Sequence, residues 1–311
     1  MDVVVISGGS GFVGSHLVDA VVARGFRAVV IDNLLTGNPR NLAQWDGDDR
    51  VLVYHQDCAH PPALELPVRY VLHFASPASP ADYLRYPLET LAAGADGTRG
   101  MLELARRHGA RFLLASTSEV YGDPLVHPQV ETYYGNVNPI GPRSVYDEAK
   151  RFAESVTMAY HRALGVNTGI VRLFNTYGPR MRLNDGRAIP NFVYQALTGQ
   201  PLTLYGDGSM TRSFCYVSDT VEGVLRLAMS EIHDPVNIGN PGEYTILELA
   251  QRVRAATGSA SPLVYAPAMQ DDPKVRRPDI ARARDLLDWG PTIPLDQGLA
   301  WTIAAFKADL A

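Results

Sequence analysis

The chain has 311 residues, 46% of them hydrophobic and 20% charged, with a formal net charge of −5. That balance suits a globular protein and excludes the basic footprint of nucleic-acid binding, so any phosphate ligand must be met by locally gathered arginines. No run reaches the about 18 apolar residues a membrane span requires. Cys58 and Cys215 cannot build a disulfide framework. The expectation is a cytoplasmic protein without nucleic-acid or membrane partners, whose start, Met1-Asp2 followed at once by Val3-Val4-Val5-Ile6, shows no leader.

In chain order, Val3 to Ser7 reads as a strand, Phe12 to Arg24 as a helix closed by Gly25, and Ala28 to Ile31, Val51 to Tyr54 and Tyr70 to Phe74 as strands. Leu88 to Arg107 has helical spacing, Phe112 to Ala115 is a strand, Ser144 to Leu164 is a helix closed by Gly165, and Gly169 to Leu173 is a sixth strand. Short continuous apolar strands alternating with amphipathic helices predict a parallel sheet covered on both faces. After about residue 175 the alternation gives way to loops rich in Gly, Pro, Asn and Arg. The expected architecture is α/β: a Rossmann doubly wound domain over 1–174, with 213–236 returning to it, and a smaller discontinuous C-terminal substrate lobe over 175–212 and 237–311.

Directly after the first strand, Gly8, Gly11 and Gly14 form a G-x-x-G-x-x-G array that opens a helix through Phe12 and Val13. Such a turn lets the backbone approach a pyrophosphate, presents free helix N–H groups to it, and packs helix against strand at the third glycine. Asp32 ends the second strand, where a carboxylate accepts hydrogen bonds from ribose hydroxyls and repels a 2′-phosphate. Asn33 rather than Arg follows it, which favours NAD over NADP. Asp57, ending the third strand, either meets the adenine edge or caps a turn. No metal is expected.

Tyr146 and Lys150 lie one helical turn apart on one face. Beside a nicotinamide, the ammonium and the oxidised ring are expected to lower the phenol from its usual value of about 10, making Tyr146 a base. A third hydroxyl should come from the end of the preceding strand, where Ser116-Thr117-Ser118-Glu119 lies.

These motifs, with His73-Phe74-Ala75-Ser76-Pro77, Asn138 to Arg143, Phe174 to Arg180, Asn184 to Arg187, Thr211 to Asp219 and Asp271 to Asp279, resemble the extended short-chain dehydrogenases over nearly the whole chain. The resemblance is greatest to the UDP-glucuronate decarboxylases. It implies that Tyr146 takes the 4-hydroxyl proton while hydride passes from C4 to NAD. The resulting β-keto acid would lose carbon dioxide to an enolate stabilised by Tyr146 and Thr117, and return of hydride would yield UDP-xylose. It further implies that Glu119 and Arg276 surround C5 and the carboxylate, Ser118 stands beside them, and Ser76 lies at the cofactor. A UDP-sugar would be held by Asn175, Arg180, Arg187, Asn191, Tyr205, Arg212 and Arg276, and the protein would form a homodimer. Arg187 has a second possible partner in NAD.

Three other readings share these positions. A 4,6-dehydratase needs an acid where Ser118 stands. A 4-epimerase usually has a small hydroxyl residue where Glu119 stands. A sensing protein on a retained fold predicts damage to Tyr146, Lys150 or Thr117, and all three are present. Ala92-Ala93-Gly94 departs from the decarboxylases' Lys-Thr-Asn, which implies a weaker hold on the carboxylate, a looser hold on the cofactor, or escape of the 4-keto pentose before reduction.

Overall fold

A computed structural model describes residues 1–183, 185–268 and 270–310. Strands β1 (Val3–Ser7), β2 (Arg27–Asp32), β3 (Val51–His55), β4 (Val68–His73), β5 (Arg111–Thr117) and β6 (Thr168–Leu173) join Pro235–Ile238 in a seven-stranded sheet. Its order is Pro235–Ile238, β6, β5, β4, β1, β2, β3, and every pairing is parallel. Alternation along β1 sends Val4 and Ile6 into one core with Val30, Leu72 and Leu113, and Val3 and Val5 into the other with Val29, Val71 and Phe112. Both faces are therefore buried, as the continuous apolar runs require. The chain winds outward in both directions from β1, so a crevice opens at the carboxyl ends of β1 and β4, where the winding reverses.

Helix α1 (Phe12–Ala23) connects β1 to β2, helices α2 (Pro80–Arg85), α3 (Pro87–Ala92) and α4 (Thr98–His108) lie between β4 and β5, and α5 (Ser144–Leu164) lies between β5 and β6. Gly25 and Gly165 follow α1 and α5 with φ of 81° and 66°, the left-handed conformation expected of them. The helix expected over Leu88 to Arg107 is instead α3 and α4 joined by a π turn, Ala93–Gly97. The cause is close packing: a Cβ on Gly94 would sit 2.7 Å from the Cβ and carbonyl of Ala149 in α5, and one on Gly97 would sit 2.7 Å from Cys58 Sγ. A widened turn with glycine at these two positions lets the rod press into both neighbours.

Beyond β6, smaller elements carry the residues that face the crevice. Leu202–Tyr205 pairs in parallel with Leu263–Ala266, and Thr211–Ser213 pairs antiparallel with Glu243–Thr245. Helix Ile246–Thr257 begins at a capping box in which Thr245 Oγ1 accepts the Glu248 N–H at 3.0 Å and Glu248 accepts the Thr245 N–H at 2.8 Å. Helix Val217–Ala228 precedes the last sheet strand, which runs to Ile238. Among the described residues no helix is long and apolar enough to cross a membrane.

Candidate active site

The crevice is a cavity of about 500 Å³ that runs from the glycine-rich turn to the loops beyond β6. At its first end Gly11 N–H donates to the Gly8 carbonyl at 3.1 Å, and Gly8 N–H donates to Ile31 at 2.9 Å. Gly8 has φ of 74°, and a Cβ on it would lie 2.7 Å from the Ala75 nitrogen; a Cβ on Gly14 would collide with the Gly8 carbonyl. Side chains are thus excluded where a pyrophosphate would pass, and Gly8, Gly11, Phe12, Val13 and Gly14 line the space.

The Asp32 carboxylate accepts the Ser10 N–H at 3.0 Å and the Leu34 N–H at 2.9 Å. Burial pushes its pKa up while these backbone donors oppose the shift. Its remaining acceptor capacity borders the cavity. Asn33 donates to Asp57 at 3.0 Å, and Asp57 also accepts the Ala59 N–H at 2.8 Å, so it closes a turn and lines the cavity at once. Ser76 lines the opposite wall, its hydroxyl donating to the Pro77 carbonyl at 3.2 Å. A cradle without side chains, an acceptor at a ribose position and a buried lysine further in fit a nicotinamide dinucleotide.

Strand β5 runs two residues past its expected end and brings Thr117 to the crevice. The Thr117 hydroxyl accepts the Glu119 N–H at 3.2 Å and starts the 3-10 turn Ser118–Tyr121. From α5, Tyr146 faces the same point, stacked on Tyr83 with centroids 5.3 Å apart and planes 7° from parallel. Lys150 Nζ donates to the Ala115 carbonyl at 3.0 Å and lies 5.8 Å from the Tyr146 ring centroid. Burial brings its pKa down to about 8. In the protein alone, burial pushes the Tyr146 phenol well above its ordinary value, and the Thr117 hydrogen bond and Arg187 pull it only part of the way back. Desolvation outweighs the distant ammonium.

The opposite end is ionic. Glu119 accepts from Arg143 at 2.7 Å, Arg143 also meets Asp272 at 3.4 Å, and Arg212 donates to Asp272 at 3.0 Å. Burial by itself would raise the Glu119 carboxyl, but Arg276, Arg143 and Arg212 outweigh it and hold the group below the usual carboxylate range. Arg276 is 1% exposed and stands just outside the residues that line the cavity. Its guanidinium donates to the Ser118 and Gly122 carbonyls and stands 3.5 Å behind Glu119. With its fork taken by two carbonyls, it braces the turn that presents Ser118 and Glu119.

Asn175, Arg180, Arg187, Asn191, Tyr205 and Arg212 all border the cavity. Arg180, at φ of 66°, pairs with Asp19 at 2.7 Å, and Arg187 is anchored by Asp185. Ala92 and Ala93 form an apolar strip of wall. Asn184 lies outside the described residues. Sequence reasoning missed Arg143, Tyr83 and Asp272. Arg143 and Asp272 lie in stretches that match the family, Asn138 to Arg143 and Asp271 to Asp279, but were given no role there; Tyr83 is brought in by a fold of the chain that no local pattern records.

A glycine turn at a topological switch point, Asp32 beyond it, and Tyr146 and Lys150 with Thr117 in the same cavity define a nicotinamide-dependent enzyme of the extended short-chain dehydrogenase/reductase superfamily. The chain belongs to the NAD dependent epimerase/dehydratase family, whose profile matches residues 4–239. It is 51% identical to UDP-glucuronic acid decarboxylase 1 of Danio rerio over 99% of this chain and 73% of that one. It is 52% identical to UDP-glucuronic acid decarboxylase 4 of Arabidopsis thaliana over 98% of this chain and 68% of that one. Among solved structures it resembles the UDP-glucose 4-epimerase of Thermotoga maritima with UDP-glucose, at a TM-score of 0.90, 28% identity and full coverage of both chains.

Proposed function

We propose that the protein is an NAD-dependent UDP-glucuronate decarboxylase, which removes the sugar carboxylate as carbon dioxide and forms UDP-xylose, UDP-4-keto-pentose or both. The observation that carries this reading is the Glu119 carboxylate, held ionised by arginines in the cavity that also contains Tyr146 and Thr117. Dehydration needs a protonated acid beside the departing hydroxyl; the residues here are an anionic Glu119 and a neutral Ser118. The decarboxylase relatives, about half identical over almost the entire chain, support the same conclusion.

Bound NAD supplies acceptance and return of hydride at the sugar C4, with a positive ring that draws down the Tyr146 phenol. Tyr146 takes the 4-hydroxyl proton, with Thr117 hydrogen-bonded to it and Lys150 beneath the ring. Oxidation at C4 makes the substrate a β-keto acid. The bond to the carboxylate then breaks, its electron pair enters an enolate, and Tyr146 and Thr117 donate to the enolate oxygen. Arg212, Arg180 and Arg187 serve the diphosphate, Asn175 and Asn191 the sugar side, and Tyr205 the base. Arg276 and Arg143 fix Glu119.

Residues 1–174 with 213–236 form the NAD-binding unit, and 175–212 with 237–311 form the nucleotide-sugar lobe. Exposed Leu88, Leu91 and Phe152 on α3 and α5 support a homodimer through these helices, and two buried free cysteines suit a reducing cytoplasm. The apolar strip at Ala92 and Ala93 offers the intermediate no hydrogen bond, which favours partial release of UDP-4-keto-pentose.

Mass spectrometry of the nucleotide-sugar product after incubation with UDP-glucuronate and NAD tests this reading. Loss of one carbon dioxide is expected, and the ratio of pentose to keto-pentose reports release. An isomer of unchanged mass would mean a 4-epimerase, the activity named for the Thermotoga relative.

A further inference from the structure

Decarboxylation at C5 replaces a carbon–carbon bond by a carbon–hydrogen bond. The 4-hydroxyl proton and the hydride both return to the sugar in the full cycle, so one proton per turnover must come from solvent. The proton on Tyr146 returns to the 4-oxygen, and Glu119, the carboxyl beside Ser118 in the main cavity, is held ionised by three arginines.

On the far side of Arg143, the ion-pair partner of Glu119, lies a second cavity of about 300 Å³. Its rim, Asn136, Asn138 and Asp271, is exposed, and its floor is Asp147. Arg143 and Asp272 line both cavities and so form the partition between them. Asp147 is 6% exposed, and its Oδ1 is fully buried with no hydrogen-bond partner. An orphaned carboxyl oxygen is costly in a structural residue, and the residue that carries it also lines a polar space large enough to admit water.

We propose that this rear cavity is the route by which the solvent proton enters, with Asp147 as its carrier and Glu119 as the acceptor on the reaction side. This inference rests on the decarboxylase reading above. The groups facing Asp147 act in both directions. Glu119 and Glu148 repel an anion there, Tyr83 and Tyr146 pack near it, and Asp123, Asp271 and Asp272 ring the cavity; Arg143 and Arg276 oppose them. Burial first and then the Glu119 charge raise the Asp147 carboxyl above the usual range, so it carries a proton at neutral pH. In the step itself the C5–carboxylate electron pair becomes the enolate. A proton leaves the Asp147 carboxyl, crosses by way of Glu119 and water, and forms the C5–H bond; water in the rear cavity restores the carboxyl.

The carrier is a positioning residue one step removed from substrate, and its test separates proton delivery from folding. In the wild-type holoenzyme, carbon dioxide release from UDP-glucuronate checks the underlying reading independently. In Asp147→Asn the initial rise of enzyme-bound NADH absorbance, which reports oxidation at C4, should keep its wild-type rate. Steady-state turnover should fall on the order of a hundredfold, NADH should accumulate because hydride return waits on protonation, and the solvent deuterium isotope effect on turnover should grow. Asp147→Glu should restore most of the rate. Turnover of Asp147→Asn at the wild-type rate with an unchanged isotope effect overturns the proposal. So does loss of the oxidation phase in both variants, which would assign Asp147 to holding Tyr146.

Discussion

At the glycine end of the cavity, recognition rests on backbone: Gly8 and Gly14 have no room for a Cβ, and Asp32 is fixed by two main-chain N–H groups. At the opposite end it rests on side-chain charge, with Glu119 and Asp272 shared among Arg143, Arg212 and Arg276. The first end is shaped by residues close in sequence. The second draws on five separated positions, each of which has meaning only through the others. Shape at one end is rigid and insensitive to pH, whereas the charge cluster responds to pH and to the loss of any one member.

Tyr146 sits where the two ends meet, and its removal should have the largest effect. Tyr146→Phe keeps the ring stacked on Tyr83 but deletes the base, so carbon dioxide release should fall by about 10²–10⁴-fold. Retained NAD, measured on the purified variant, should match wild type. A variant that turned over within a few-fold of wild type would remove the phenol from the reaction.

The backbone end is tested by two alanines. Gly14→Ala places a Cβ against the Gly8 carbonyl and should weaken NAD binding, with a stability loss of about 1–3 kcal/mol from overpacking. Gly290→Ala meets nothing within 4 Å and should leave both unchanged. Equal NAD affinity for the two variants, by titration calorimetry, would separate the turn from cofactor binding.

What could be read in the sequence follows the same division. The sheet strands, α1, α5 and the glycine array rest on periodicity and on glycine's lack of a side chain, which are local properties. The π turn was not legible, because its cause is Ala149 and Cys58 pressing from other elements. Nor was the placement of Arg276 behind the turn, since a sequence motif records that a guanidinium is needed and not which of its faces is taken. The burial around the Tyr146 phenol was not legible for a related reason: spacing on a helix gives Lys150 its face, and the packing of other elements decides how much its charge counts.

Arg143→Met should break the partition between the cavities. It leaves Glu119 with Arg276 at 3.5 Å in place of an ion pair at 2.7 Å, and removing one partner of a largely buried pair costs up to about 3–5 kcal/mol. The cost has a pH signature. In the wild type, Glu119 is held below its ordinary value of 4.5, so it contributes stability that is present above that pH and lost as pH falls through the lowered value. In Arg143→Met the carboxyl should rise, and the acid limb of a melting-temperature profile should become shallower. Identical acid limbs would mean that Arg276 and Arg212 suffice.

A further effect is expected on stability in Asp147→Asn, and its sign opposes the effect on turnover. Asp147 is pushed up to about 8, chiefly by burial and then by Glu119. Its folded state therefore keeps a proton that the unfolded chain releases above the ordinary value of 3.8, and the contribution it makes at low pH is lost as pH rises through neutrality. Asparagine is neutral throughout. The variant should match wild type in melting temperature near pH 4 and exceed it progressively towards pH 8, while turning over more slowly. A carboxyl kept at a cost in stability, beside a water-accessible space and behind an ionised partner, is what a proton carrier requires. A variant destabilised equally at all pH values would instead mark Asp147 as a packing residue at the start of α5.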